Sequence, residues 1–526
     1  MTRPPSPRRC AATSTTPTGR WTAATADHAK DRAQHTGDST AEPDSARTNS
    51  TRTNSVGTNS TERRRAHRAE RSGPMTATTA SSASTATTGA TRATTPRAAR
   101  PRGWRQAAAG LVACGWGGNQ FTPLLLMYRR TDGYSTVTVD ALLGAYVVGL
   151  IPGLLIGGPL SDRWGRRPLM IAGTALSLLA SAVLAAGSLG LGPLVAGRLL
   201  TGAAVGIAMA VGSSWVKELS QAPFDPGADP GAGARRSSLA LTAGFGIGPG
   251  VAGALAQWGP WPTALPYLVH VAVGGALLAV MLGAPETRRR PAVRPEPTGG
   301  LPTGGRRGLR VAGLRAREFL ADLRVPAAGH RRFRRIVLPM APWVFGSAGI
   351  AYAVTPQLVD ARVGHWGLAY ATALTVLTLG MGAVVQPLAK RLGARSSVPA
   401  MSAAMVLMAL GMAVCGLDAQ TRSPWLAPVG ALVLGAGYGI AIVSGLVEIQ
   451  RIARPDDLAG LTGVYYAAAY AGFLLPTVLA AASSVVGYPV LLLALAVLAV
   501  GCLAVILANS RVPAVPGPLP PRRPGL

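Results

Sequence analysis

A chain of 526 residues that is 48% hydrophobic and 14% charged lies outside the range of ordinary soluble proteins, in which about a quarter of residues are charged. Its 51 basic residues against 22 acidic ones give a net charge of +29. The positive charge collects in the N-terminal stretch and in short links between apolar runs, which argues against a nucleic-acid partner and for a lipid bilayer.

Residues 1–102 are rich in Thr, Ser, Ala and Arg, with a stutter RTNSTRTNSVGTNS at 47–60, and hold too few apolar residues to offset the entropy of ordering. We expect a disordered cytoplasmic tail, and Met75 is as good a translation start as Met1. From residue 106 the character changes. Apolar runs of about twenty residues, enough to cross roughly 30 Å of hydrocarbon, recur twelve times. They fall near 106–127, 139–160, 168–187, 192–215, 237–257, 263–283, 336–357, 368–388, 397–416, 425–447, 459–482 and 488–508. The 285–335 stretch reads as a basic cytoplasmic linker that divides the spans six and six, with bundles over 103–284 and 336–510 and a Pro-rich tail over 511–526.

The even-numbered links carry Arg163, Arg166, Arg167, Lys217, Arg235, Arg236, Lys390, Arg391, Arg395, Arg451 and Arg454. The odd ones carry only Arg129, Arg130, Arg362 and Arg422. Positive charge stays on the cytoplasmic side, so the even links and both termini are expected there, in a plasma membrane. Trp104, Trp258, Trp261, Trp343, Trp366 and Trp425 fall near span ends, where an interfacial belt would put them. Arginine over lysine, with 65 Gly and 42 Pro, suits a bacterial genome rich in G and C. Cys10, Cys114, Cys415 and Cys502 have neither metal-site nor disulfide spacing, and no metal or cofactor is expected.

The halves echo each other. GPLSDRWGRR (158–167) aligns without gaps with QPLAKRLGAR (386–395), GAAVGIAMAVG (202–212) with GAGYGIAIVSG (435–445), and more faintly FTPLL (121–125) with VTPQL (354–358). Internal repeats of spanning bundles mark transporters whose solute site lies between the halves.

GGPLSDRWGRRP (157–168) resembles the loop signature of the major facilitator superfamily, matched by Gly158, Leu160, Asp162, Arg163, Gly165, Arg166 and Arg167. Arg198-Leu-Leu-Thr-Gly-Ala-Ala in span 4 is similar to the family's second signature, with Thr201 where glutamine is usual. Gly244-Phe-Gly-Ile-Gly248-Pro249-Gly250-Val-Ala-Gly253 in span 5 resembles its antiporter signature, with Ala252 where glycine is usual, and Pro285-Glu286-Thr287-Arg288 is a further family-like touch. The resemblance covers about 103–510 and points to the drug:proton antiporter-like branch. It implies an all-α membrane protein: twelve transmembrane helices as two pseudo-symmetric six-helix bundles, the major facilitator fold. It further implies a monomer that moves a small-molecule solute, with protons as the coupling ion to be tested.

The residues suggest roles. Gly158, Asp162, Arg163, Gly165, Arg166 and Arg167, with Glu218 as partner, form either a latch between the halves or a purely topogenic basic loop. Glu448 lies at a similar place in the second half, with Lys390, Arg391 and Arg395 as its expected partners. Arg198, buried at a cost of about 2.5–3.5 kcal/mol, needs protein or water around it, and the resemblance implicates it in proton coupling. Asp140 and His270 are the other coupling candidates, His270 being either a relay or a neutral packed side chain. Asn119 and Gln120 either bond solute in the central cavity or bond neighbouring helices, and Tyr146, Tyr352, Gln357, Tyr465 and Tyr466 either line that cavity or pack. Gly248, Pro249 and Gly253 would let span 5 bend. No acid falls mid-span, unlike many proton-coupled exporters. The expectation is an exporter of drug-like or amphipathic compounds. The alternatives are an importer of sugars or organic solutes, and a non-transporting sensor. No nucleophile–base pair speaks for an enzyme and no phosphate-gripping loop for ATP drive.

Overall fold

The computed structural model describes residues 103–288, 325–454 and 457–510. The expected N-terminal tail, the 289–324 part of the linker and the 511–526 tail lie outside the described residues. Among those described, every regular element is helical. In chain order they are α1 (Gly103–Asn119), α2 (Leu125–Thr131), α3 (Thr136–Trp164), α4 (Arg166–Ala185), α5 (Leu191–Ile207), α6 (Ser213–Glu218), α7 (Ala232–Trp258) and α8 (Leu265–Met281). Then come α9 (Leu338–Gly349), α10 (Thr355–Val363), α11 (Gly367–Val384), α12 (Gln386–Leu392), α13 (Ser397–Thr421), α14 (Leu426–Ile452), α15 (Leu458–Ala471), α16 (Leu475–Ala482) and α17 (Tyr488–Ala508).

Nine helical stretches among these residues are long and apolar enough to cross a membrane. One of them, Phe333–Leu392, runs for 60 residues and reverses at Gly364, whose φ is +62°. With the shorter apolar helix Leu265–Met281 and the interrupted pair α1–α2, the arrangement is consistent with twelve crossings. The interruptions have local causes. Between α1 and α2 the chain tightens into a 3₁₀ turn at Thr122–Leu124, where Pro123 supplies no N–H. Between α15 and α16 a similar turn at Gly472–Leu474 precedes Pro476.

Expected span ends shift outward where polar residues cap a longer helix. The Ser135 hydroxyl accepts the Thr138 N–H at 3.1 Å, so α3 begins at Thr136 rather than 139. It continues to Trp164, past the expected end at 160. The second-half bundle starts at a π turn, Phe333–Val337, before the expected 336. The tryptophan belt is corrected at one position. Trp258, Trp261, Trp366 and Trp425 are exposed, but Trp343 is buried.

The aligned GAAVG and GAGYG stretches have one packing job in common. At Gly202 and Gly206 there is no room for a Cβ against the Tyr146 and Leu150 carbonyls, and at Gly435 and Gly439 none against those of Thr378 and Gly382. Spans 4 and 10 thus press backbone to backbone on spans 2 and 8. Between the halves, α7 packs on α11, and α3 packs on α15 and α16. An aromatic cluster sits along this seam: Tyr146 meets Tyr470 and Phe473 edge-on at 6.2 and 6.3 Å between ring centroids, and Phe345 stacks on Tyr470 at 4.0 Å.

Candidate functional site

The charged stretch between spans 2 and 3 is nearly all helix. Only Gly165 breaks the run from α3 to α4, at φ +102°, a conformation that side chains with a Cβ rarely adopt. This turn exposes the N–H groups of Arg166 and Arg167, and the Glu286 carboxylate accepts both at 3.0 and 2.9 Å, an anion on a helix N-terminus. The Arg166 guanidinium is buried. It bonds Glu218 at 3.2 Å from Nε, pairs with Asp162 at 2.9 Å and touches the Ser161 hydroxyl. Arg288 reaches Asp162 at 2.8 Å, and Arg167 donates to the Leu282 carbonyl at 2.6 Å. Arg163 is exposed one turn away, and Gly158 lends its carbonyl to Ser161 at 2.8 Å. Glu218, Asp162, Arg166 and Arg167 therefore come together, and Glu286 and Arg288 join them.

Glu448 differs from the expectation. Its partners are not Lys390, Arg391 and Arg395 but Arg332 and Ser397, with Arg451 at 4.0 Å. The carboxylate is fully buried, and Arg332 enters from the chain before α9, where it can reach the end of α14.

Arg198 is 1% exposed and makes no ion pair with a described residue. Its Nε donates to the Leu142 carbonyl at 3.1 Å and its Nη1 to that of Gly118 at 3.4 Å. Its charge lies over the rings of Tyr146 at 4.5 Å and Phe121 at 4.7 Å, where the negative ring faces stabilise it. His270 sits apart, inside the first half. Its Nε2 donates to the Ala113 carbonyl at 2.9 Å, which leaves Nδ1 to accept from Ser181 at 2.8 Å, and Gln120 donates to Ser181 at 2.8 Å. Both ring nitrogens are satisfied in the neutral form, and Gln120 is spent on this helix-to-helix chain.

Nine side chains line a small cavity between the halves. Asn119, Tyr146 and Phe245 come from the first half; Phe345, Tyr352, Leu379, Tyr438, Tyr470 and Phe473 come from the second. Its volume of ≈ 10 Å³ is room for about one water. Of the cavity residues expected from sequence, Asn119, Tyr146 and Tyr352 line it. Gln120 does not, and neither do Gln357, Tyr465 or Tyr466. Tyr465 is buried with its hydroxyl on the Ala441 carbonyl at 3.1 Å, and Tyr466 packs beside it at 5.7 Å between ring centroids.

Gln357 belongs to a second site, at the end of the bundle opposite Gly165. There Arg129 donates to Gln357 at 2.9 Å, and Gln357 donates to the buried Asp140 at 3.1 Å. The other Asp140 oxygen has no partner among the described residues. Arg130 bonds Asp360 at 3.2 Å from Nε and the Gly364 carbonyl at 2.8 Å. Gln257 bridges to the His365 carbonyl and the Ala369 N–H at 3.1 and 2.9 Å. Each of these contacts joins the first half to the second. Nearby, α7 runs unbroken through Pro249. Gly248 abuts the Trp116 backbone, and Gly253 lies against Thr372 with no room for a Cβ, so the span 5 motif is a smooth seam between halves.

Sequence reasoning missed Arg129, Arg130 and Asp360 as a site, although their complementary charges just past the first and seventh spans were a usable signal. It also missed Phe345, Tyr438, Tyr470 and Phe473. The 466–470–473 spacing of aromatics on span 11 marks one helix face, but nothing in the sequence says which face looks inward.

The family model of the Major Facilitator Superfamily matches residues 107–475. A curated relative, the Methylenomycin A resistance protein of Bacillus subtilis (strain 168), is 32% identical over 153 residues, 28% of this chain and 31% of that protein. The chain thus spans about a third of that relative's length. A POT family transporter in complex with 5-aminolevulinic acid superposes with a TM-score of 0.60 at 14% identity, over 78% of this chain and 96% of that one. Nucleoside transporter NupG gives 0.57 at 13%, over 78% and 100%. The xylose transporter XylE from E. coli, in a partially occluded inward open conformation, gives 0.55 at 15%, over 78% and 99%. At such identities the likeness carries the fold alone. The family model covers most of the chain, and the chain belongs to the major facilitator superfamily.

Proposed function

We propose that the chain is a secondary active transporter that exports drug-like or amphipathic solutes by alternating access. It would sit in the plasma membrane as two six-helix bundles, with the Gly165 end and both termini cytoplasmic and the Arg130 end outside. One observation carries the reading: a small aromatic cavity between the halves, with inter-half hydrogen bonds and an ion pair at one end of the bundle. A solute released from such a cavity must wait for one set of contacts to break, which is what alternating access requires. The resistance-protein relative and the span 5 motif favour export over import. Protons remain the coupling ion to test. Asp140, one of whose carboxylate oxygens has no partner among the described residues at the inter-half contact, is a better candidate than His270, whose ring is fully bonded.

The test is solute flux in proteoliposomes across a panel of aromatic and aliphatic compounds, with and without an imposed pH gradient. Flux that collapses with the gradient supports proton coupling, and flux indifferent to it removes Asp140 and Arg198 from that role. No flux of any compound overturns the transporter reading. A second measurement probes the closed end. Arg130→Ala removes a pair worth about 1 kcal/mol, and amide exchange over 355–363 should rise roughly fivefold. Unchanged exchange would mean that these contacts do not hold the end shut.

A further inference from the structure

The seam cavity has an electrical character that its shape alone does not convey. None of its nine lining side chains is charged; they are three phenylalanines, four tyrosines, Leu379 and Asn119. The formal charge directly behind its wall is positive. Arg198 lies 4.5 Å from the ring of Tyr146, and Tyr146 lines the cavity. No carboxylate among the described residues pairs with Arg198. Asp140, on the same helix as Tyr146, is six residues earlier, about 9 Å along the axis, and its bonded oxygen is held by Gln357, which Arg129 also grips.

Aromatic walls by themselves attract cations through the faces of the rings. Here some of those faces are taken. One face of Tyr146 is covered by Arg198, Phe345 and Tyr470 cover each other at 4.0 Å, and Tyr146 meets Tyr470 and Phe473 edge-on. Ring edges carry the positive end of the quadrupole. A cation beside Tyr146 meets the field of a guanidinium that no described carboxylate offsets, and the lining holds no acid to compensate its own desolvation. A flat neutral or anionic ring that enters as the seam opens escapes that repulsion, and the Asn119 amide, whose Nδ2 makes only a long 3.4 Å bond to the Phe245 carbonyl, is at hand to donate to it.

We propose that the seam site binds uncharged or anionic aromatic compounds and rejects organic cations. This deepens the transporter reading and rests on it for the site being a solute site. The experiment is equilibrium binding to the purified full chain in detergent micelles by titration calorimetry. It uses three probes on one ring system: 2-naphthalenesulfonate, 2-naphthylmethanol and 2-naphthyltrimethylammonium. The anion and the alcohol should bind, with the cation at least about tenfold weaker. Asn119→Asp should narrow or reverse that order, and Arg198→Gln should remove the preference of the anion over the alcohol, each variant being checked by its thermal melt.

A cation that binds wild type as tightly as the anion overturns the proposal even if neither variant folds. So does an order unchanged in a folded Asn119→Asp protein, or binding of none of the three at millimolar concentration. The readout is binding rather than flux, so a charge order opposite to the expected one refutes this proposal and leaves transport standing. Absent flux with the expected order refutes transport and leaves the charge preference standing.

Discussion

The two halves solve one problem with different residues. At the end of span 4, Glu218 is 31% exposed and meets Arg166 from the turn between α3 and α4. At the end of span 10, Glu448 is fully buried and meets Arg332, Ser397 and Arg451. The gap-free repeat explains why. The counterparts of Asp162 and Arg166 are Lys390 and Ala394, so the second turn offers neither the acid nor the inward arginine. The place aligned with Glu218 holds Arg451, and Glu448 stands about one turn earlier. The second half therefore draws Arg332 from the chain before α9, and Arg451 turns to the Gly393 carbonyl at 2.7 Å. Gly393 has an ordinary φ of −84°, whereas Gly165 needs +102°. A repeat can keep an acid near the end of one span while both its exact position and the origin of its counter-charge change.

Substitutions can break this contrast. The largest effect should come from Glu448→Ala, which removes a fully buried carboxylate from a charged cluster and should cost about 3–5 kcal/mol. Its thermal melt in detergent should fall well below that of Glu218→Ala, where partial exposure limits the loss to about 1–2 kcal/mol. Equal losses would show that burial does not separate the clusters. The other asymmetry is Arg198, whose counterpart by the same alignment is Ala431, fully buried. Ala431→Arg should cost about 2.5–3.5 kcal/mol and sharply lower the yield of monodisperse protein. Normal yield would mean that the second half can also shelter a cation. Arg451→Ala should be the mildest, about 0.5–1 kcal/mol, because Arg332 supplies the closer charge to Glu448. A melt as low as that of Glu448→Ala would reverse their order.

Much of the fold is legible because lipid imposes a simple rule. Spans must be apolar over about twenty residues, and their backbone groups must bond within the helix. The apolar runs follow from that rule, and the structure departs from the expected bounds where a cap lengthens α3 and where 3₁₀ turns interrupt the spans at Thr122–Leu124 and Gly472–Leu474. The candidate site was less legible. Asn119 and Gln120 are adjacent and chemically alike, yet one lines the cavity and the other bonds Ser181, because neighbouring helical residues point about 100° apart. Gln357, expected in the cavity, instead ties Arg129 to Asp140.

The sequence by itself determined the class of protein, the positions of the spans, the pseudo-symmetry and the existence of one buried, unmatched arginine. Each is a property of composition or of spacing along one helix. Only the tertiary structure decided which aromatics face each other across the seam, that Glu448 pairs with Arg332, and that Arg129 and Arg130 reach the other half. Those contacts join residues more than a hundred positions apart, and their geometry is set by the rotation of packed helices, which a linear pattern does not carry.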